Sequence, residues 1–276
     1  VGDAFKSLTQ AQLNVGRITD QFAKNIDFTS IAASLDVVLR LSATFAAQQA
    51  DLLKNLGPAL EAMRASFYPP NLREIDGLKF EDVEKVVMID GIPLYGVPSA
   101  SVAEALVRAQ DQAERREIIV EEWKTIAVDC REVVQGCGSQ AVEQYVPFAL
   151  GAIDALEAEH TAAAQALAGS LVDSLVNGYF GVDRYKFTPS KKNPTNDAYN
   201  EFTIREWVAF APMWQAYQQF FVTKGDSVPV TFSRHATAHA VGQQQFNLCN
   251  AVQGIMFTCS LLFRLDEEAA STESAA

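Results

Sequence analysis

The 276-residue sequence has few of the residues that most often mark chemistry: three histidines, four cysteines and three tryptophans. The cysteines, at 130, 137, 249 and 259, form no CxxC pair. That spacing offers neither a zinc knuckle nor a dithiol redox centre, and predicts four small apolar side chains on helices in a reducing compartment. There is no P-loop, no GxGxxG behind a strand and no GxSxG elbow, so the common nucleotide-cradle and serine-hydrolase signatures are missing. Positive charge is also scarce: 22 Lys and Arg stand against 34 Asp and Glu, a net charge of -12. An acidic surface resists non-specific nucleic-acid binding, so a polyanion would have to be met by a local basic patch. No unbroken apolar run reaches the length of about 18 residues that a membrane span needs, and no charged-then-apolar signal segment opens the sequence. The expectation is a cytoplasmic protein with no membrane association. At 49% hydrophobic and 20% charged residues, the composition suits one large or two modest globular domains.

What is present is helical periodicity. Between residues 4 and 67, apolar side chains recur at Ile31, Leu35, Val38, Leu41, Phe45, Leu52, Leu56, Leu60, Met63 and Phe67, mostly three or four apart. Gly57-Pro58 breaks this run into a helical pair, which packs on the body or forms a coiled-coil-like dimer seam. Pro69-Pro70 marks a boundary. Residues 86–97 place Asp90-Gly91 between β-prone runs and predict a small hairpin. Ser101 and Glu104 have capping-box spacing and open a long helix that Gly136 and Gly138 end. Alanine-rich residues 140–177 predict a second long helix, kinked at Pro147 and carrying His160. A polar loop follows at 178–200, where Arg184, Lys186, Lys191 and Lys192 alternate with aromatic residues. It reads as a solvated connector or as a loop that holds a nucleic-acid backbone and stacks a base. Thr203 and Glu206 make a second capping box before an aromatic-rich helix. An apolar helix spans 247–265, before an acidic small-residue tail. The expected fold class is mostly α, a helical bundle with a small β-hairpin insertion. Its expected parts are an N-terminal helical region with the hairpin (1–98), a C-terminal bundle (99–268) and a disordered tail (269–276).

Chemistry is concentrated in Arg234-His235-Ala236-Thr237-Ala238-His239, which holds two of the three histidines directly behind an arginine. Imidazole is the side chain most easily poised for proton transfer near neutral pH, and guanidinium is well shaped for an oxyanion. On a helix, Arg234 and His239 lie about 140° apart around the axis, whereas His235 and His239 share a face. A same-site role for Arg234 and His239 therefore needs a wrapped arginine or a second subunit. The i, i+4 histidines have the spacing of a helical metal pair, but no Glu follows His235, and a third ligand such as His160 would be needed.

The segment resembles the R-x4-6-H motif of the HEPN superfamily, whose arginine is usually followed by a polar residue, as Arg234 is by His235. Phe232-Ser233-Arg234-His235, with Asn250-Ala251 downstream, is similar to bacterial proteins that read N-R-H-x-x-x-H-G. Ser233 stands here for that Asn and Ala240 for that Gly. The resemblance covers about the last 65 residues. It implies an all-α bundle that homodimerises with two motifs facing each other, and a metal-independent endoribonuclease of a toxin–antitoxin, CRISPR or anti-phage system. In that case RNA is the substrate, an antitoxin or defence protein is a partner and no cofactor is used. His239 would serve as acid/base, Arg234 would stabilise the phosphate, His235 would assist, and Ser233 would donate a supporting hydrogen bond. The residues by themselves also fit a non-catalytic helical scaffold, or a metal-binding helical protein that uses His235 and His239.

Overall fold

A computed structural model describes residues 67–274. The expected helices and dimer seam before residue 67 lie outside the described residues. Within them the protein is helical and contains no strand. Numbered from the first described element, the helices are α1 (Pro70–Arg73), α2 (Phe80–Glu84), α3 (Ala100–Arg108), α4 (Gln112–Glu121), α5 (Trp123–Gly136), α6 (Val146–Glu157), α7 (Thr161–Phe180), α8 (Ile204–Phe210), α9 (Met213–Ala216), α10 (Arg234–His239) and α11 (Leu248–Ser274).

Helix α11 organises the rest. From Asn250 to Leu262 it is buried on every side, so it has no solvent face and other helices must cover it all round. Helices α4, α5, α6, α7 and α8 do so. By length and composition Leu248–Glu273 could cross a membrane, contrary to the sequence expectation; 78% of its most apolar stretch is buried inside the protein, as in a core helix. Past Leu262 the helix becomes progressively more exposed yet continues to Ser274, where a disordered tail was expected from residue 269. Arg264 pairs with Glu268 one turn on, at 3.2 Å, which supports that extension.

The hairpin expected at 86–97 does not form. Lys85–Ile89 instead continues α2 as a π-helical turn, and the chain then runs irregularly to α3. A half-exposed strand would alternate buried and exposed residues, but Val86, Val87, Met88, Ile92, Leu94, Tyr95 and Val97 are all buried. The backbone groups that a partner strand would satisfy are taken by side chains. Asn71 donates to the carbonyls of Leu94 (3.1 Å) and Pro98 (2.7 Å) and accepts from Gly96 N–H (3.0 Å). Gln253 of α11 donates to Gly91 O at 2.7 Å. This segment shares one hydrophobic core with α3 to α9 and α11, so the core runs across the expected division at 98/99.

Asp90, the expected turn residue, forms a buried ion pair. Arg115 Nη1 donates to its Oδ2 at 2.7 Å, with the two side chains only 6% and 5% exposed. The remaining Arg115 donors reach the carbonyls of Leu106 (3.0 Å) and Ala109 (2.9 Å) at the end of α3, and Gln112 donates to Asp90 Oδ1 at 3.1 Å. Burial lifts the Asp90 carboxyl above the ordinary carboxylate range, and Arg115 only partly offsets it. The expected long helix is three helices, and these contacts explain the first of its two breaks. The chain turns after α3 so that Arg115 can fold back on it, and Asp111 restarts the next helix by accepting from Glu114 N–H at 3.0 Å. The Ser101–Glu104 box is unused because α3 already begins at Ala100, with Ser99 as the N-cap residue, whose own N–H donates to Asp129 at 2.8 Å. Pro147 opens α6 instead of kinking a longer helix. The Thr203–Glu206 capping box is present as expected. All four cysteines are free and buried, and burial pushes the Cys137 thiol up to about 12.

Replacing Asp90 by Ala strands the Arg115 guanidinium in the core and is expected to cost about 3–5 kcal/mol of unfolding free energy. Lys85→Ala, which removes an exposed pair with Asp82, is expected to cost less than about 1 kcal/mol. Urea unfolding of both variants measures the difference; equal losses would show that the buried pair carries no special weight.

Candidate active site

Helix α10 carries the histidine segment, and three contacts fix it. Ser233 is its N-cap, accepting from Ala236 N–H at 3.2 Å. Gln245, fully buried, binds the segment from below. Its Oε1 accepts from Ser233 N–H (3.0 Å) and Gln165 (3.1 Å), and its Nε2 donates to the carbonyls of Pro229 and Thr231, both at 3.0 Å. Finally, α10 rests on α7 where Gly169 has no side chain: a Cβ there would lie 3.2 Å from Thr237 Cγ2. The ring of Phe232, just ahead of the segment, packs still more closely over Gly254 of α11, where a Cβ would come within 2.8 Å of it.

So placed, Arg234 and His235 enter one polar cavity of about 270 Å³, lined also by Asp173, Arg184, Tyr185, Thr188, Pro189, Ser190, Tyr217 and Gln219. Arg234 Nη2 forms an ion pair with Asp173 Oδ2, and Tyr217 donates its hydroxyl to Asp173 Oδ1 at 3.1 Å. His235 is half-buried and sits edge-on to the Tyr217 ring, with centroids 6.4 Å apart. Burial lowers the His235 pKa, and the neighbouring Arg234 lowers it further. The imidazole is therefore neutral at neutral pH and able to accept a proton.

The other expected site residues are distributed differently. His239 is exposed at the far end of α10 and does not line the cavity. Ser233 is buried under its capping role. Of the basic loop residues, Arg184 lines the cavity, with its guanidinium 4.5 Å from the Tyr185 ring. Lys186 pairs with Asp183 at 3.4 Å. Lys191 and Lys192 are exposed and make no ion pair among the described residues. The loop is anchored rather than free. Gly181–Lys186 and Asp197–Glu201 are 3-10 turns, Phe187 and Phe202 stack with centroids 4.5 Å apart, and Tyr199 donates to Phe187 O at 2.7 Å. His160 is exposed at the turn between α6 and α7. Among the described residues, no group of three or more His, Cys, Asp or Glu could hold a metal ion, so His235 and His239 find no third ligand there.

Sequence reasoning missed Asp173, Tyr217 and Gln245. Asp173 did leave a signal, as the one charged residue in the twenty of α7. Comparison with known proteins adds nothing to this geometry: no family model, no curated protein and no solved structure matches the chain.

Gln245→Ala removes both the acceptor and the donor beneath the segment, and is expected to lower the unfolding free energy by about 2–3 kcal/mol and the melting temperature with it. A thermal melt that matched the parent would show that α10 does not depend on Gln245. The His235 shift has a definite sign. Its folded pKa lies below the unfolded value, so the unfolded chain binds the extra proton first and stability falls as pH drops below about 6.5. Urea unfolding between neutral and mildly acidic pH should show this loss, and His235→Asn should flatten it.

Proposed function

We propose that this chain is a metal-independent endoribonuclease of the HEPN type. The observation that carries the reading is that Arg234 and His235 line one cavity with Arg184, in a protein whose overall net charge is -12. Three cationic or proton-transferring groups at one concave site favour a phosphodiester ligand. His235, kept neutral by burial and by Arg234, takes the proton from the RNA 2′-hydroxyl. That oxygen attacks the adjacent phosphorus, and Arg234 neutralises the charge that builds on the phosphorane oxygens. The 5′-oxygen leaves as the P–O bond breaks, giving a 2′,3′-cyclic phosphate and a free 5′-hydroxyl. His239, exposed beyond the cavity, protonates that oxygen from the facing copy of a homodimer. A phosphodiester must compete with Asp173 for Arg234; it offers the same paired acceptors with the same single charge, and its advantage comes only as further charge builds in the phosphorane.

One observation favours a second reading. The Arg234–Asp173–Tyr217 network already satisfies the arginine inside one chain, as it would in a non-catalytic scaffold whose α10 merely clips onto α7.

Incubating purified protein with mixed RNA in EDTA separates the two. The nuclease reading expects fragments with 2′,3′-cyclic phosphate ends. Arg234→Ala and His235→Ala should each slow cleavage by about a hundred-fold or more, and mixing separate Arg234→Ala and His239→Ala preparations should restore part of it. Intact RNA with every preparation, while Arg234→Ala only lowers the melting temperature, would leave the scaffold.

A further inference from the structure

We infer that the exposed Tyr185 ring, backed by Arg184, is a stacking platform for one unpaired base of a single-stranded RNA whose neighbouring phosphate enters the cavity at Arg234. This rests on the nuclease reading and names the form of its substrate.

The aromatic residues of the basic loop divide into two groups. Phe180, Phe187, Tyr199 and Phe202 pack against one another and serve the core. Tyr185 is 63% exposed and joins no aromatic cluster among the described residues. Leaving so much ring in water has no folding benefit. The ring is nevertheless held in place. Arg184 lies over it at 4.5 Å and donates to its hydroxyl at 2.9 Å, and Arg184 is itself fixed by Asn177 and by Gly181 O. A rigid aromatic ring with a guanidinium on it is what base stacking needs, because every base has a π-face and the cation adds to the attraction.

Its position supplies the second argument. Tyr185 and Arg184 line the same cavity as Arg234 and His235. At about 270 Å³ that cavity is slightly smaller than the roughly 300 Å³ at which drug-sized pockets begin. It has room for one nucleotide's sugar and phosphate, not for a duplex. Paired bases cannot reach a side-chain platform, whereas unpaired ones can be splayed out onto it. Lys191 and Lys192 lie further along the same loop, exposed, to meet the phosphates that follow.

The test measures binding separately from cleavage. A short 2′-O-methyl oligoribonucleotide, which has no free 2′-hydroxyl to attack, carries a 2-aminopurine reporter and is titrated with the whole protein. Binding should quench the reporter by stacking. Tyr185→Ala should weaken binding roughly ten- to a hundred-fold and abolish the quench, Tyr185→Trp should restore both, and the same oligonucleotide in a duplex should bind more weakly than the single strand. If Tyr185→Ala binds and quenches like the parent while Arg234→Ala loses binding, the stacking platform is overturned and the nuclease reading stands. If the parent protein binds no oligonucleotide and cuts no RNA, both fall. Equal affinity for single strand and duplex overturns the single-strand preference.

Discussion

The constraint on which the structure depends is the burial of α11 on all sides. A helix with one polar face needs a single neighbour, but one that is apolar all round must be enclosed. Enclosing it takes five helices spread over residues 112–210, which is why α4 and α8, distant in sequence, share its surface. The enclosure also brings polar residues inside. Asn250, Gln253, Thr258 and Ser260 are buried on α11, and each buried polar group must find a partner or carry a desolvation cost. Gln253 Nε2 meets this need by holding Gly91, and Asn250 by donating to Gln245 O at 2.8 Å, whereas Gln253 Oε1 and Ser260 Oγ find no partner among the described residues and carry that cost. Core and site are thus joined by the same hydrogen bonds.

Side chains do much of the work that strands do elsewhere. Asn71, Arg115, Gln245 and Gln253 each tie backbone groups that are not part of a helix or lie at a helix end. A ladder of backbone bonds tolerates substitution because the side chains play no part in it. A clamp made by one amide or guanidinium does not, since its loss leaves several groups without partners at once.

Legibility in the sequence followed this division. The helical character and the apolar final helix were readable because they are written in local periodicity. The Thr203–Glu206 box was readable because its two halves lie three residues apart. The hairpin was misread because Asp90-Gly91 looks like a turn locally, while its actual partners Arg115 and Gln253 lie 25 and 163 residues away. At the site, the spacing within Arg234–His239 correctly warned that the two ends of the motif face apart. It could not say which histidine turns inward. That depends on Asp173 of α7 and Tyr217 just after α9, which look in the sequence like ordinary members of an alanine-rich run and an aromatic one.

The missing side chain at Gly169 has a mechanical consequence. Asp173 lies one turn along α7 from Gly169, on the same face. Because α10 sits directly on α7 at Gly169 and is tied to it again by the Arg234–Asp173 pair, the two helices form one stiff wall of the cavity. The 3-10 turn that bears Arg184 and Tyr185 also lines the cavity, and Arg184 is bonded back to Asn177 of α7 and to Gly181 O. With both sides braced, the width of the cavity is set before any ligand arrives, and a ligand is selected by fit to a frame that does not yield.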